Sequence, residues 1–420
     1  MIPRHGWPAV VLLALVAPML AFPQWLGPSH AWQAAAICIG ALCVATVLLA
    51  DFGRLGVFAG VLSLAAIVGW WQSPNQWASL NHFCGLALGL LAMGTVAVWC
   101  RTRQTLAIGT LAFVLFGCVA LTVGFRSVTP VADKVMIEPV AFGPVRPLPL
   151  PALHSRTDVN PNALAATAML ILPVAGALVL APVRFAPLGS ALRAAGFLTT
   201  LWAAILVLLM QSRSAWLAAA FILWLLARRW TGAKAWWLAA GLMFVVLPAA
   251  VVFFGQTYPQ VALAVRSLSV HTEIWMDALQ ALRISPWLGI GFDYYRHIGV
   301  APHAHNIVLQ TILDIGLVGL AGYLAVIGFV MRCALDLTTR RHGDEWVRYV
   351  GTGAALSIVS VHIFGLLDAV PLGAKVGIFQ WWSCGLILAA LRLTDGAPKE
   401  RVVERHRIGN EPAGSEPLTD

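Results

Sequence analysis

Charge is the scarcest property of this sequence: 27 basic and 18 acidic side chains make up 11% of 420 residues. A soluble domain carries about 25%. With 60% of its residues hydrophobic, the chain is excluded from the water-soluble class. Its seven cysteines form no Cys-x-x-Cys pair and all lie in apolar runs or at their ends. Neither a disulfide framework nor a thiolate metal site is expected from them. No internal repeat of the transporter kind is visible. No clean small-x-small exit follows the first apolar run, Trp7 to Phe22, which is expected to stay as a helix.

What fills the sequence instead is a series of apolar runs of about twenty residues, the length that crosses a hydrocarbon core of about 30 Å. The expected fold class is an all-α integral membrane protein. Twelve spans are predicted, at 7–22, 31–50, 55–71, 83–100, 106–125, 161–182, 196–211, 214–227, 235–255, 306–331, 347–366 and 376–393. With the N-terminus in the cytoplasm, eighteen of the 27 Lys and Arg residues fall inside. Seven of the nine outward ones sit in two long loops, 126–160 and 256–305, where the positive-inside rule has less force. Both termini are therefore expected in the cytoplasm. Residues 1–393 form the membrane domain, and 394–420 a polar tail predicted to be disordered. The net charge of +9 follows from topology and contact with anionic lipid, so no nucleic acid partner is expected. The first loop is rich in proline. The second predicts a short amphipathic helix from Thr272 to Arg283, then a turn through Pro286, Gly289 and Gly291.

The residues able to carry chemistry cluster in and near that second loop. At 100° per residue, His305, Leu309, Ile312, Gly316 and Gly319 fall on one stripe of the tenth span, whose glycines predict close approach of another helix. His305 then reads either as a general base near pH 7 or as an interfacial histidine that ends a span. Arg213 lies in a tight outward turn before a span of about fourteen residues, roughly 21 Å of helix, and so below the outer headgroups. With Ser212 as a cap, it predicts a phosphate-type anion site; the alternative is a snorkelling arginine. Arg266, Arg283 and Arg296 read as surface charges on spacing alone. Asp314 is too deep to orient His305 within a straight helix and is expected to make an interhelical hydrogen bond. Glu273 and Asp277 read as a solvated helix edge, with no third ligand for a metal. His362, Asp368 and Lys375 read as packing or anchoring residues, Lys375 being the one able to face a phosphate.

His305-Asn306, nine residues and Gly316-Leu-Val-Gly319 resemble the signature of the O-antigen ligase family of membrane glycosyltransferases. Asn160-Pro161-Asn162, Ser212-Arg213-Ser214-Ala-Trp216, and Trp275 through Pro286-Trp-Leu-Gly-Ile-Gly291 are similar to further stretches of the same family. The resemblance implies a GT-C-like fold in a bacterial inner membrane, with the active site facing the periplasm. It implies His305 as the catalytic base, and Arg213 and Arg266 as donor-diphosphate ligands, with Arg283 or Arg296 able to replace Arg266. His303, Asn306 and Asp314 are the candidates for supporting residues, with His303 alternatively binding the acceptor or having no role. The family has an acidic residue, usually Glu, near Asp314. The implied donor is an undecaprenyl-diphosphate-linked glycan and the implied acceptor lipid A–core, by an inverting reaction with neither metal nor cofactor. A polymerase of the same family and a pilin oligosaccharyltransferase are the alternatives within it. A polysaccharide-lipid transporter is the non-enzymatic one.

Overall fold

The computed structural model describes residues 7–21, 28–128, 159–182, 188–228, 231–246, 259–339, 344–370 and 372–395, except for the side chains of 188, 244, 245, 259–268 and 395. Among these residues the fold is all-α, with one isolated bridge between Val128 and Val159 that ties together the two ends flanking the proline-rich loop. Its helices are α1 Trp7–Ala21, α2 Ala31–Ala50, α3 Arg54–Trp71, α4 Gln76–Trp99, α5 Arg103–Arg126, α6 Pro161–Leu180 and α7 Leu188–Leu209. They continue with α8 Arg213–Ala227, α9 Ala233–Gly241, α10 Pro259–Leu282, α11 Tyr295–Ile298, α12 Ile307–Thr339, α13 Glu345–Gly365 and α14 Ile378–Asp395. Nine described helical segments are long and apolar enough to cross a bilayer, and α1 and α8 are shorter apolar helices beside them. This is a multi-pass membrane protein. The span expected at 235–255 is helical from Ala233 to Gly241 and π-helical over Leu242–Val246, and its remainder lies outside the described residues. The proline-rich loop from 129 to 158 and the tail from 396 also lie outside them.

Helix α4 is the axis of the bundle, with 89% of its apolar window buried by protein. It packs against α1, α2 and α14. Small residues make that possible: a Cβ on Gly89 would meet the Trp381 ring of α14 at 2.1 Å. A second group, α6, α7 and α8, joins the first through α13 and α5. Across α6 and α13, Gly353 meets Ala177 while Ser360 Oγ donates to Met169 O at 2.7 Å, so the two run antiparallel. Arg193 reaches Ala181 O, and Gly196 packs on Ala175 and Leu178, so α7 runs back along α6. The tight turn into α8 therefore lies at the same end of the bundle as Asn160 and the C-terminus of α13.

The feature that shapes this end is a break in α12. Gly316 has φ +71° and ψ −177°, a conformation essentially restricted to glycine. The break frees backbone groups in a segment where no water can satisfy them. The loop after α10 supplies the partners. Leu317 N donates to Pro286 O at 3.0 Å, Val318 N to Trp287 O at 3.2 Å, and Ile290 N to Leu313 O at 2.6 Å. On its other side the loop is held by α3 and α4: Gln72 Nε2 donates to Leu288 O and Gly289 O, both at 2.7 Å. Ser79 Oγ donates to Phe292 O at 2.6 Å. Gly289 (φ +79°) and Gly291 (φ +104°) supply the bends.

Two expectations are corrected here. The amphipathic helix of the second loop is not a short one from Thr272: among the described residues α10 already runs from Pro259 to Leu282, 24 residues. The glycine stripe of the tenth span does not receive another helix at Gly316. What approaches there is the backbone of Trp287 and Leu288, 2.2–2.4 Å from where a Cβ would stand.

Candidate functional site

His305 does not lie on a helix. It precedes α12 with φ +48°, and Asn306 follows as the residue that starts the helix. Asn306 Oδ1 accepts from Val308 N at 3.0 Å and Leu309 N at 3.1 Å, satisfying donors that the first turn leaves open. Its Nδ2 donates to Leu366 O at 3.1 Å and ties the start of α12 to the end of α13. The His–Asn pair thus has a mechanical reason: the asparagine fixes the helix start, and the strained residue before it turns its imidazole aside.

That imidazole meets Asp368, just past α13. His305 Nδ1 lies 3.1 Å from Asp368 Oδ1, with side-chain exposures of 23% and 9%, so the pair is reachable from solvent yet sheltered. A carboxylate only accepts, so Nδ1 carries a proton, and in the neutral imidazole the Nε2 lone pair is left for another donor. Asp368 was expected to be an anchor; it is the histidine's orienting partner instead. His303 lies against the same ring, 4.0 Å between centroids, and its Nδ1 accepts from His305 N at 3.3 Å. The His271 ring of α10 is 5.1 Å from His305. Ligating atoms of His303, His305 and Asp368 all fall within 4.8 Å of one another.

Burial, reinforced by the His305 ring, pushes the His303 imidazole down to about 4. Its neutral form is therefore the folded form. Between pH 6.5 and 4 the unfolded chain binds the extra proton, so this contribution to stability is complete above pH 6.5 and is lost as pH falls toward 4. Thermal denaturation of the purified protein should show a smaller loss of Tm between pH 7 and 4.5 in His303→Ala than in the parent. Equal losses would contradict this assignment.

Below the histidines runs a short polar chain. Ala304 N donates to Gln310 Oε1 at 2.9 Å, Gln310 Nε2 to Asp314 Oδ1 at 2.9 Å, and Asp293 N to the same oxygen at 3.3 Å. Asp314 was expected to bond between helices; it joins its own helix to the loop, and through Gln310 it braces the residue between the two histidines. Glu273 is exposed, but Asp277 is not the solvated edge expected of it. It accepts from Tyr295 Oη at 2.6 Å and Val300 N at 3.1 Å, locking α10 to the loop that leads into the histidines. Burial and this carboxylate push the Tyr295 phenol above its usual value. His362 is a packing residue, bonded to Tyr323 Oη at 2.8 Å and Ile358 O at 2.7 Å.

The arginines stand on different elements. Arg213 opens α8 with an exposed side chain at the His305 end of the bundle. Ser212 occupies the cap position without capping the helix, and its Oγ is buried with no partner among the described residues. Arg266 lies on α10, and its side chain is outside the described residues. Arg283 is exposed just beyond α10. Arg296 is exposed and pairs with Asp293 at 3.4 Å. Lys375 opens a 3-10 turn before α14 and is exposed. Sequence reasoning missed the roles of Asp368 and Gln310, and missed His271 altogether. The usable signal was an acid in the short connection after the eleventh span, at the same predicted face as His305.

Residues 198–324 match the family model described as O-antigen ligase. The match takes in Arg213, Arg266, His303, His305, Asn306 and Asp314, and ends before Asp368. A search of curated proteins finds no match to the chain.

Proposed function

We propose, on the premise that residues 198–324 of this membrane protein are an O-antigen ligase domain, that it transfers a glycan from an undecaprenyl diphosphate carrier to lipid A–core. At family level it is an O-antigen ligase- or polymerase-like membrane glycosyltransferase; the donor, acceptor and residue roles are our reading. The reading rests on the His305–Asp368 pair, an oriented imidazole with a lone pair directed away from its carboxylate. His305 Nε2 takes the proton of the acceptor hydroxyl as that oxygen attacks the anomeric carbon. The bond from that carbon to the diphosphate oxygen breaks in the same displacement, which inverts the centre. The leaving diphosphate keeps the electron pair, and Arg213 with Arg266 neutralises it. Asp368 stabilises the imidazolium as it forms, without itself being protonated. The site opens to the periplasm of a bacterial inner membrane, with both termini cytoplasmic, where lipid-linked rather than nucleotide-linked sugar is at hand.

Purified protein in proteoliposomes, given lipid-linked glycan and either lipid A–core or a second donor as acceptor, tests the reading. Product on lipid A–core, undiminished with chelator present, supports it. Product only on the second donor makes the protein a polymerase, and loss of product with chelator ends the metal-free displacement. In the same assay Arg213→Lys is expected to lower the rate at least about tenfold, because one ammonium cannot reproduce the planar two-point contact of a guanidinium. Full activity there would remove Arg213 from the diphosphate site.

A further inference from the structure

We infer that the histidine cluster is also a binding site for a divalent ion of the zinc class, and that such an ion switches the transferase off. The regulatory half of this inference rests on the function proposed above; the binding half does not. His303 and His305 supply two imidazole nitrogens and Asp368 a carboxylate oxygen, all within 4.8 Å of one another. Two imidazoles and a carboxylate suit late first-row divalent ions, and a zinc site with three protein ligands keeps an open fourth position. Ligand bonds of about 2.0–2.1 Å in a tetrahedral centre put neighbouring donor atoms about 3.3 Å apart. His305 Nδ1 and Asp368 Oδ1 stand at 3.1 Å, close to that spacing before any ion arrives.

The remaining closure falls to His303. It belongs to the non-helical segment 299–306, and its ring lies against that of His305. His271 on α10, its ring centred 5.1 Å from that of His305, is near enough to fill or shield the open position. Access is provided by the 23% exposure of the His305 side chain. The ion comes in as the aqua complex and exchanges water for the three side chains.

The consequence for His305 follows from its two ring nitrogens. In the metal-free pair Nδ1 carries the proton donated to Asp368, and Nε2 holds the lone pair. A metal at Nδ1 needs the lone pair there, so the single ring proton moves to Nε2. No proton is gained or lost, and no bond to sugar or phosphate is involved. The same side chain, still neutral, can no longer accept a proton from a hydroxyl. Zinc thus occupies the place of one hydrogen-bonded proton and converts the base to its inert tautomer.

Zinc uptake by the full chain in detergent, measured by equilibrium dialysis without any glycan, tests the binding. One ion per chain is expected, with affinity reduced at least about tenfold in His303→Ala, His305→Ala and Asp368→Asn. Asp368→Asn, the nearly isosteric change, serves where an alanine variant fails to fold. His297→Ala, an exposed histidine outside the cluster, should bind as the parent does. Cobalt in place of zinc should give the visible absorption of a four-coordinate N/O centre, absent from His305→Ala. Undiminished uptake in His305→Ala and Asp368→Asn, or an equal loss in His297→Ala, overturns the site. In the proteoliposome assay, zinc should inhibit the parent at the concentrations that fill the site, and chelator should restore the rate. A filled site with unchanged transfer overturns the switch alone. A filled site in a protein that transfers no sugar leaves the metal site standing and removes the proposed function.

Discussion

Replacing His305 by alanine should lower glycan transfer by about 10²–10⁴-fold, the usual contribution of a positioned general base. Asp368→Asn should fall within about tenfold of that loss, although the aspartate touches no substrate. The reason is tautomeric. The carboxylate holds the Nδ1 proton at 3.1 Å and so keeps the lone pair on Nε2. An amide in its place can present its NH₂ group and draw the lone pair to the wrong nitrogen. The double variant should be little worse than His305→Ala alone, because the two side chains act as one unit. Initial rates in proteoliposomes at saturating donor, with KM determined separately, are the measurement. Asp368→Asn at more than about half the parent rate would show that the pair is a structural tie between α12 and α13. Multiplicative losses in the double variant would give the two residues independent roles.

The largest effect on stability is expected at Gly316. A Cβ there would stand 2.2 Å from Trp287 O and 2.4 Å from Leu288 N, atoms of a backbone pinned on both sides. The backbone angles, φ +71° and ψ −177°, are themselves costly for any L side chain. Gly316→Ala should therefore cost at least about 3 kcal/mol, in the range that marks backbone strain combined with a core clash. Gly328, further along the same helix, has nothing within 4 Å of its missing Cβ. Gly328→Ala should be neutral or stabilise by up to about 1 kcal/mol. Thermal denaturation in one detergent, with the two variants side by side, decides it. A Gly316→Ala protein melting with the parent would mean that the break in α12 is not required.

Much of the architecture was legible because hydrophobic length is a strong signal: Ala31–Ala50, Arg54–Trp71 and Glu345–Gly365 each appear within a few residues of the apolar run that announces them. Asn160, singled out in the sequence only for its family-like stretch, starts α6 with its Oδ1 accepting from Asn162 N at 2.8 Å. The break at Gly316 was not legible. A glycine in an apolar run has the same appearance whether it admits a neighbouring helix or bends its own. Only the loop from Pro286 to Gly291, which offers the missing backbone partners, tells the two apart. His305 and its asparagine could be picked out, while Asp368 could not be joined to them. The two are 63 positions apart in sequence, and no periodicity links a loop residue to the end of a later helix. The role of Asn306 in reaching Leu366 O had the same obstacle.

The exchange of backbone bonds between Leu317, Val318, Ile290 and their partners has a consequence for ancestry and engineering alike. The carbonyls of Pro286 and Trp287 are satisfied only because the facing helix is interrupted, and the interruption is tolerable only because those carbonyls are there. Neither half is a module. A chimera that imports residues 286–292 into a relative with an uninterrupted helix, or restores the helix while keeping the loop, should be retained by quality control rather than inserted. Swaps that carry both segments together are the ones to build.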